Sequence, residues 1–189
     1  MGRDARPRDH AQRKAVTEGD AIRPAGPADQ PAIETLYAAA FPQEDMLPVV
    51  RALSELAGVL SLVALRGGGI AGHVAFTPCA LRGTAERLAL LAPLAVTPAL
   101  QRRGIGRALV SEGLARLRVA GLRRVLVLGS PAYYGRLGFG TEREVAPPYP
   151  LPAAWRDAWQ SRELCAGPPL PPGTLIVPPP WQSRALWAP

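Results

Sequence analysis

Hydrophobic positions along this chain follow two different periods, and each change of period marks an element. Positions 1–20 are polar and mixed in charge, with no apolar run, which predicts a disordered N-terminal arm with no secretory leader. The segment 21–24 is short and closes on Pro24, as an edge strand can. Helical spacing follows, with Asp29 as a cap and Ile33, Leu36, Tyr37 and Ala40 on one face. Pro42 interrupts it, and Met46, Val49, Val50, Leu53 and Leu56 repeat the spacing as far as Gly58.

The pattern then becomes strand-like. A strand over 60–65, a turn at Gly67-Gly68-Gly69 and a returning strand over 70–77 predict a hairpin. After a turn at Arg82-Gly83-Thr84, residues 88–96 are apolar on both faces, as a strand in the middle of a sheet would be. A loop over 97–103 leads into a helix over 104–120. Ile105, Leu109, Gly113 and Leu117 form its apolar row, with Val110 and Leu114 beside them and Arg107, Ser111 and Arg118 opposite. Gly121 stops this helix, 124–128 is a buried strand, and Ser130 or Pro131 opens a short helix ending near Leu137-Gly138. Phe139 begins a further segment, and 174–177 is a last strand among prolines. Meander followed by strand–helix–strand predicts one α/β domain over 21–189 with a mixed sheet. Its proline-rich part, from about 146, should wrap on the folded body as a rigid, irregular segment.

The length of 189 residues suits a single core. No run approaches the ~18 apolar residues that span a bilayer, so no membrane partner is expected. Cys79 and Cys165 follow no ligand spacing, and His10 and His73 stand alone; free thiols in a cytoplasmic protein without a metal are the expectation. The net charge of +7 is concentrated. Seven arginines (102, 103, 107, 116, 118, 123, 124) against Glu112 alone give 101–124 a charge of +6, leaving +1 for the rest. Such focusing suggests a polyanionic ligand, the alternative being a solvated helix face rich in good helix formers. Without interleaved aromatics or a binding motif, nucleic acid is not the expected partner.

The transition from the strand at 88–96 to the helix at 104 is where an anion would sit. A helix N-terminus offers free amides and partial positive charge. Gly104 and Gly106 bring no side chain to that point, and Arg102, Arg103 and Arg107 surround it; together these suit a pyrophosphate. The dinucleotide fingerprint is excluded because Leu109 stands where its third glycine would be. A Walker loop is excluded because Lys14 is the only lysine.

The run Leu94-Ala95-Val96-x-Pro98-x-x-Gln101-Arg102-Arg103-Gly104-Ile105-Gly106-x-x-Leu109 resembles the acetyl-CoA motif of the GNAT family of N-acetyltransferases, Arg/Gln-x-x-Gly-x-Gly/Ala. The match extends through the strand Val125–Leu128 and Gly129-Ser130-Pro131-Ala132-Tyr133-Tyr134-Gly135-Arg136-Leu137-Gly138-Phe139, similar to the family's Tyr-bearing short helix and Gly-Phe close. The Pro-x-Tyr-Tyr form and the proline-rich tail resemble a bacterial subgroup of predicted N-acetyltransferases. The resemblance covers roughly 20–180.

The resemblance implies a mostly antiparallel mixed sheet with a splayed strand pair, flanked by helices, and acetyl-CoA as co-substrate without a metal. Pantetheine would lie against Leu94, Ala95 and Val96, with the Val96 N–H donating to the thioester oxygen. Gln101, Arg102, Arg103, Gly104, Ile105, Gly106 and Arg107 would hold the pyrophosphate, and one of the distal arginines the 3′-phosphate. Tyr134, four residues before Gly138, falls where the family's tyrosine does and would protonate the departing thiolate; Tyr133 should face the core. The family's frequent strand glutamate is missing from Leu88-Ala89-Leu90-Leu91, which leaves Glu44, Asp45 and His73 as candidate bases, or a base acting through water, or none. Two functions follow: acetyl transfer to a primary amine of a small molecule or protein by direct attack in a ternary complex, or non-catalytic acyl-CoA sensing on the same fold. The proline-rich tail either covers the acceptor pocket or mediates a homodimer.

Overall fold

The computed structural model describes residues 21–187, so the expected N-terminal arm lies outside the described residues. β1 (Ala21–Pro24) precedes two helices, α1 (Gln30–Ala40) and α2 (Leu47–Glu55). The hairpin β2 (Leu60–Arg66) and β3 (Gly69–Leu81) leads to β4 (Arg87–Val96). Then come α3 (Ile105–Val119), β5 (Arg124–Leu128) and the one-turn α4 (Pro131–Tyr134). The chain ends through short strands β6 (Gly140–Thr141), β7 (Val145–Ala146), β8 (Trp159–Glu163) and β9 (Gly173–Ile176).

The sheet order is β1-β2-β3-β4-β5-β8-β6. Neighbours along this order are antiparallel except β4 and β5, which α3 joins by a crossover and which therefore run parallel. As its double-sided apolar pattern predicts, β4 is central. One face carries α1, α2 and the C-terminal tail, packed on Val63, Ala75, Leu88, Leu90 and Leu126. The other carries α3, whose Ile105, Leu109, Val110, Leu114 and Leu117 bury against Val74, Phe76, Ala89 and Val125. Each such leucine stabilises the fold by about 2 kcal/mol on burial.

Three departures from the periodicity have physical reasons. β3 continues four residues past Thr77, through Pro78. Pro78 falls after the last β2 pair, Leu60 with Phe76, and before the β9 pairs at Ala80 and Leu81, so its missing amide meets an open edge. β8, Trp-Gln-Ser-Arg-Glu, has no apolar alternation; it is a strand because it pairs with β5 along its full length. Asp29 does not cap α1. Its carboxylate binds the Arg23 guanidinium at 2.6 and 2.8 Å and the Gly26 amide at 2.8 Å, pinning β1 to the turn before the helix.

The distal arginines close this frame. Arg124 is buried and reaches Glu142, Glu144 and Glu163 at 2.8, 3.2 and 3.0 Å. Arg123 meets Glu163 at 3.1 Å and the Pro168 carbonyl at 2.7 Å. The other Glu142 oxygen accepts the amides of Arg143, Glu144 and Val145. Burial by itself pushes the Glu142 carboxyl up, but hydrogen bonds from Ser161 and the Val145 and Glu144 amides, with the charge of Arg124, outweigh it and hold it below its ordinary value. A depressed native value means that this stabilisation is complete above the unfolded carboxyl's pKa, about 4.3, and is lost as pH falls through the native value. Glu142→Ala should cost about 3 kcal/mol in urea unfolding at pH 7, because it removes the buried carboxylate on Arg124 and leaves the Arg143, Glu144 and Val145 amides without their acceptor. The difference from the parent should shrink below about pH 4.3; an equal difference at pH 7 and pH 3 would refute the charge argument.

Candidate active site

β4 and β5 part company halfway along. Their pairing runs from Leu88 with Arg124 to Leu90 with Leu126 and stops there. On the β3 side, Phe76 pairs with Leu91 but Val74 with Leu94, so β4 carries one extra residue around Ala92-Pro93. Such a bulge bends the strand, and here it bends β4 away from β5. β5 itself continues straight, paired with β8 as far as Leu128 with Trp159.

Which backbone groups face the resulting gap follows from alternation. The Thr97 amide donates to the Ala71 carbonyl at 2.9 Å, which turns Thr97, and two residues back Ala95, toward β3. Val96 and Leu94 therefore direct their N–H and C=O groups the other way, into the gap. Ala95, expected among the cofactor contacts, does not join them: its backbone faces β3 and its methyl is buried in the core.

At the end of this gap lies the start of α3. Arg102 and Gly104 both have positive φ, 58° and 86°. Consecutive amides around such residues curve into an anion-binding concavity. The first intrahelical bond runs from the Ala108 amide to the Gly104 carbonyl, so the amides of Ile105, Gly106 and Arg107 have no partner within the helix. The space before Gly104 is open, so glycine is required there by backbone conformation. Arg102, Arg103 and Arg107 are exposed and have no ion-pair partner among the described residues. Ile105 turns its side chain into the core and contributes only its amide. Gln101 braces the loop, its Nε2 donating to the Val96 carbonyl at 3.2 Å.

Three of the four distal arginines are paired within the protein, contrary to the expectation that they would be free to approach a 3′-phosphate, and Arg118 is exposed. Arg123 and Arg124 are committed to the carboxylates described above, and Arg116 pairs with Glu112 at 2.7 Å. They sit at the far end of α3, roughly 20 Å of helix from Gly104. The run of positive charge in the sequence is two clusters in space.

The two tyrosines exchange their expected environments. Tyr133, expected in the core, is 39% exposed, whereas Tyr134 is 9% exposed. Pro131 starts α4, and one turn places successive residues on different sides. Tyr133 projects toward α3, where its hydroxyl stands 2.6 Å from the position a Cβ would take on Gly106, beside Val96 and Leu94. Gly106 is thus the gap that admits Tyr133. The Tyr134 ring lies against Gly129, where a Cβ would come within 2.4 Å of it, and edge-on to Tyr133 and Phe139. Burial, and then Tyr133, push the Tyr134 phenol well above its usual value, so it keeps its proton.

A cavity of about 1010 Å3 runs through the gap, bordered by Leu90 to Leu94 of β4, by Leu128 and Gly129, and by Tyr134. Its far wall is formed by Phe41, Glu44 and Met46 of the α1–α2 connection and by Trp155, Trp181, Arg184 and Trp187 of the tail. The sequence pattern had not singled out these tryptophans; their spacing has no period, and the only signal was large apolar residues among prolines. Of the candidate bases, Glu44 borders the cavity. Asp45 is turned to the Leu47 amide at 3.2 Å, at the start of α2. His73 is buried away from the cavity, its Nδ1 bonded to the Tyr37 hydroxyl at 2.9 Å and Nε2 to the Ser61 hydroxyl at 2.8 Å. Burial lowers its pKa to about 4, which together with its occupied nitrogens makes it a structural histidine. Among the described residues no group of three His, Cys, Asp or Glu could hold a metal ion, and no helix is long and apolar enough to cross a membrane.

Comparison with known proteins agrees with this geometry. The profile of the acetyltransferase (GNAT) family matches residues 31–139. The uncharacterized N-acetyltransferase YjhQ of Escherichia coli is 37% identical over 114 residues, 58% of this chain and 63% of its own length, so the chain spans less than two thirds of that relative. The uncharacterized N-acetyltransferase YhbS of Escherichia coli is 36% identical over 136 residues, 71% of this chain and 79% of its own. The crystal structure of YhbS in complex with CoA superposes with a TM-score of 0.76 at 30% identity, covering 87% of this chain and 93% of that one. A GNAT family acetyltransferase from Brucella melitensis in complex with acetyl-CoA gives a TM-score of 0.69 at 32% identity, covering 86% and 98%. With its splayed β4–β5 pair, its anion-binding turn before α3 and these matches, the chain belongs to the GNAT family of acetyltransferases.

Proposed function

We propose that this protein transfers an acetyl group from acetyl-CoA to a primary amine by direct attack within a ternary complex. The observation that carries the reading is that β4 leaves β5 beyond Leu90, that Leu94 and Tyr134 line the cavity there, and that Gly106 at the start of α3 lies against the Leu94 and Val96 side chains. The CoA complexes of the two similar structures support the same cofactor here. The unpaired Cys79 and Cys165 fit a cytoplasmic enzyme.

Bound acetyl-CoA would supply the thioester carbonyl that the amine attacks. The amides of Gly104, Ile105, Gly106 and Arg107, with the side chains of Arg102, Arg103 and Arg107, neutralise the pyrophosphate. Leu94 and Val96 hold the pantetheine amides as a neighbouring strand would. The Val96 N–H donates to the thioester oxygen, where negative charge grows as the C–N bond forms. The C–S bond then breaks, the thiolate takes the Tyr134 proton, and the proton lost by the amine returns through water to the Tyr134 oxygen, restoring the phenol. Glu44, the carboxylate at the cavity, is placed to relay that proton through water.

Saturating acetyl-CoA should raise Tm by roughly 5 °C, the effect of a ligand at about 100 times its Kd on a domain of this size; no shift at millimolar concentration would refute the cofactor reading. Gly104→Val should abolish that shift while leaving the far-UV circular dichroism unchanged, since a β-branched residue resists a φ of 86°. A full shift would move the phosphate site elsewhere. Tyr134→Phe should lower kcat about 100-fold with the Kd for acetyl-CoA within a factor of about 3; unchanged turnover would remove the acid role.

A further inference from the structure

The acceptor side of the cavity has a composition that narrows the amine. We infer that the acceptor is a small primary monoamine carried on an apolar, ring-sized body, of the arylalkylamine kind, and not a polyamine or a protein chain. This rests on the acetyl-transfer reading above and deepens it.

The wall opposite the cofactor is lined by Phe41, Trp155, Trp181 and Trp187. Trp181 and Trp187 each spend their indole N–H elsewhere, on the Thr77 hydroxyl at 3.0 Å and the Trp181 carbonyl at 2.9 Å. What they turn to the cavity is carbon. Phe41 is fixed by stacking on Tyr37, with centroids 5.9 Å apart and planes 13° from parallel. Met46, Leu90, Leu186 and the half-buried Trp155 complete an apolar lining. Aromatic walls favour a flat apolar body, and a strongly hydrated chain gains nothing from them.

Charge makes the same selection. Glu44 is the one carboxylate among the residues that line the cavity, and it is exposed at the rim. One carboxylate complements one ammonium group. A polyamine or a multiply charged sugar amine would bring further cations into a lining that holds no second carboxylate and carries the guanidinium of Arg184. The tail argues against a protein acceptor. Trp155 and the segment from Trp181 to Trp187 lie across the acceptor side, anchored by the buried Trp181 and Trp187, so a polypeptide would have to displace packed indoles to present its amine.

The test uses the full chain, acetyl-CoA, and three probes of similar basicity: 2-phenylethylamine, spermidine and a lysine-containing peptide. Thiol release and product mass give kcat/KM, and Tm with acetyl-CoA alone is read in parallel. The expected result is a kcat/KM for 2-phenylethylamine at least about 10-fold above either other probe. Trp155→Ala should raise its KM about 10-fold, with KM for acetyl-CoA unchanged, and Trp155→Phe should restore most of the affinity. Preference for spermidine or the peptide, no acetylation of 2-phenylethylamine, or an unchanged KM in Trp155→Ala would overturn the acceptor assignment while an acetyl-CoA-dependent Tm shift left the cofactor site standing. Absence of that shift would overturn both.

Discussion

Everything functional in this fold depends on three residue pairs and the place where they end. β4 and β5 pair from Leu88 to Leu90 and no further, because one extra residue at Ala92-Pro93 bends β4 out of plane. Unpaired backbone amides in a sheet interior are costly unless something else takes them. Here Leu94 and Val96 turn their backbone groups into the gap, where the Val96 carbonyl takes the Gln101 side chain and the others have no partner on β5. The same separation opens the cavity between β4 and β5.

The rest of the molecule holds that opening in shape. β8 and β6 extend the sheet beyond β5 and keep it straight while β4 departs. The Arg123 and Arg124 cluster ties β5, β8 and the segment around Glu142 together at the closed end. The proline-rich tail, which contributes β9 to the edge of β3, returns across the face of α1 and α2 and is fastened by indole hydrogen bonds. Its Trp155, Trp181, Arg184 and Trp187 line the cavity.

Electrostatics divides by position along α3. At its start, three exposed arginines and free amides favour an anion. Beyond its end, the buried Arg123 and Arg124 are neutralised by carboxylates from distant segments. Equal charges in the sequence serve opposite purposes because one set meets solvent and the other meets Glu142 and Glu163.

Much was legible in the amino-acid pattern. The helices, the central place of β4, the turn at Gly104 and the family itself all rest on local properties: period, backbone allowance and spacing. What the pattern left open required contacts between residues far apart in the chain. The strand character of β8 comes from β5, the role of each arginine from its partner, and the burial of Tyr134 over Tyr133 from Gly129 and Gly106. His73 was removed from the chemistry by Tyr37 and Ser61. The opening at Val96, with which the sequence already associated the cofactor, acquired its direction only from hydrogen-bond alternation against β3. Sequence determined which residues could form an anion-binding turn; tertiary structure decided which backbone groups face the gap and which side chains line the cavity, because both depend on pairing and packing across the sheet.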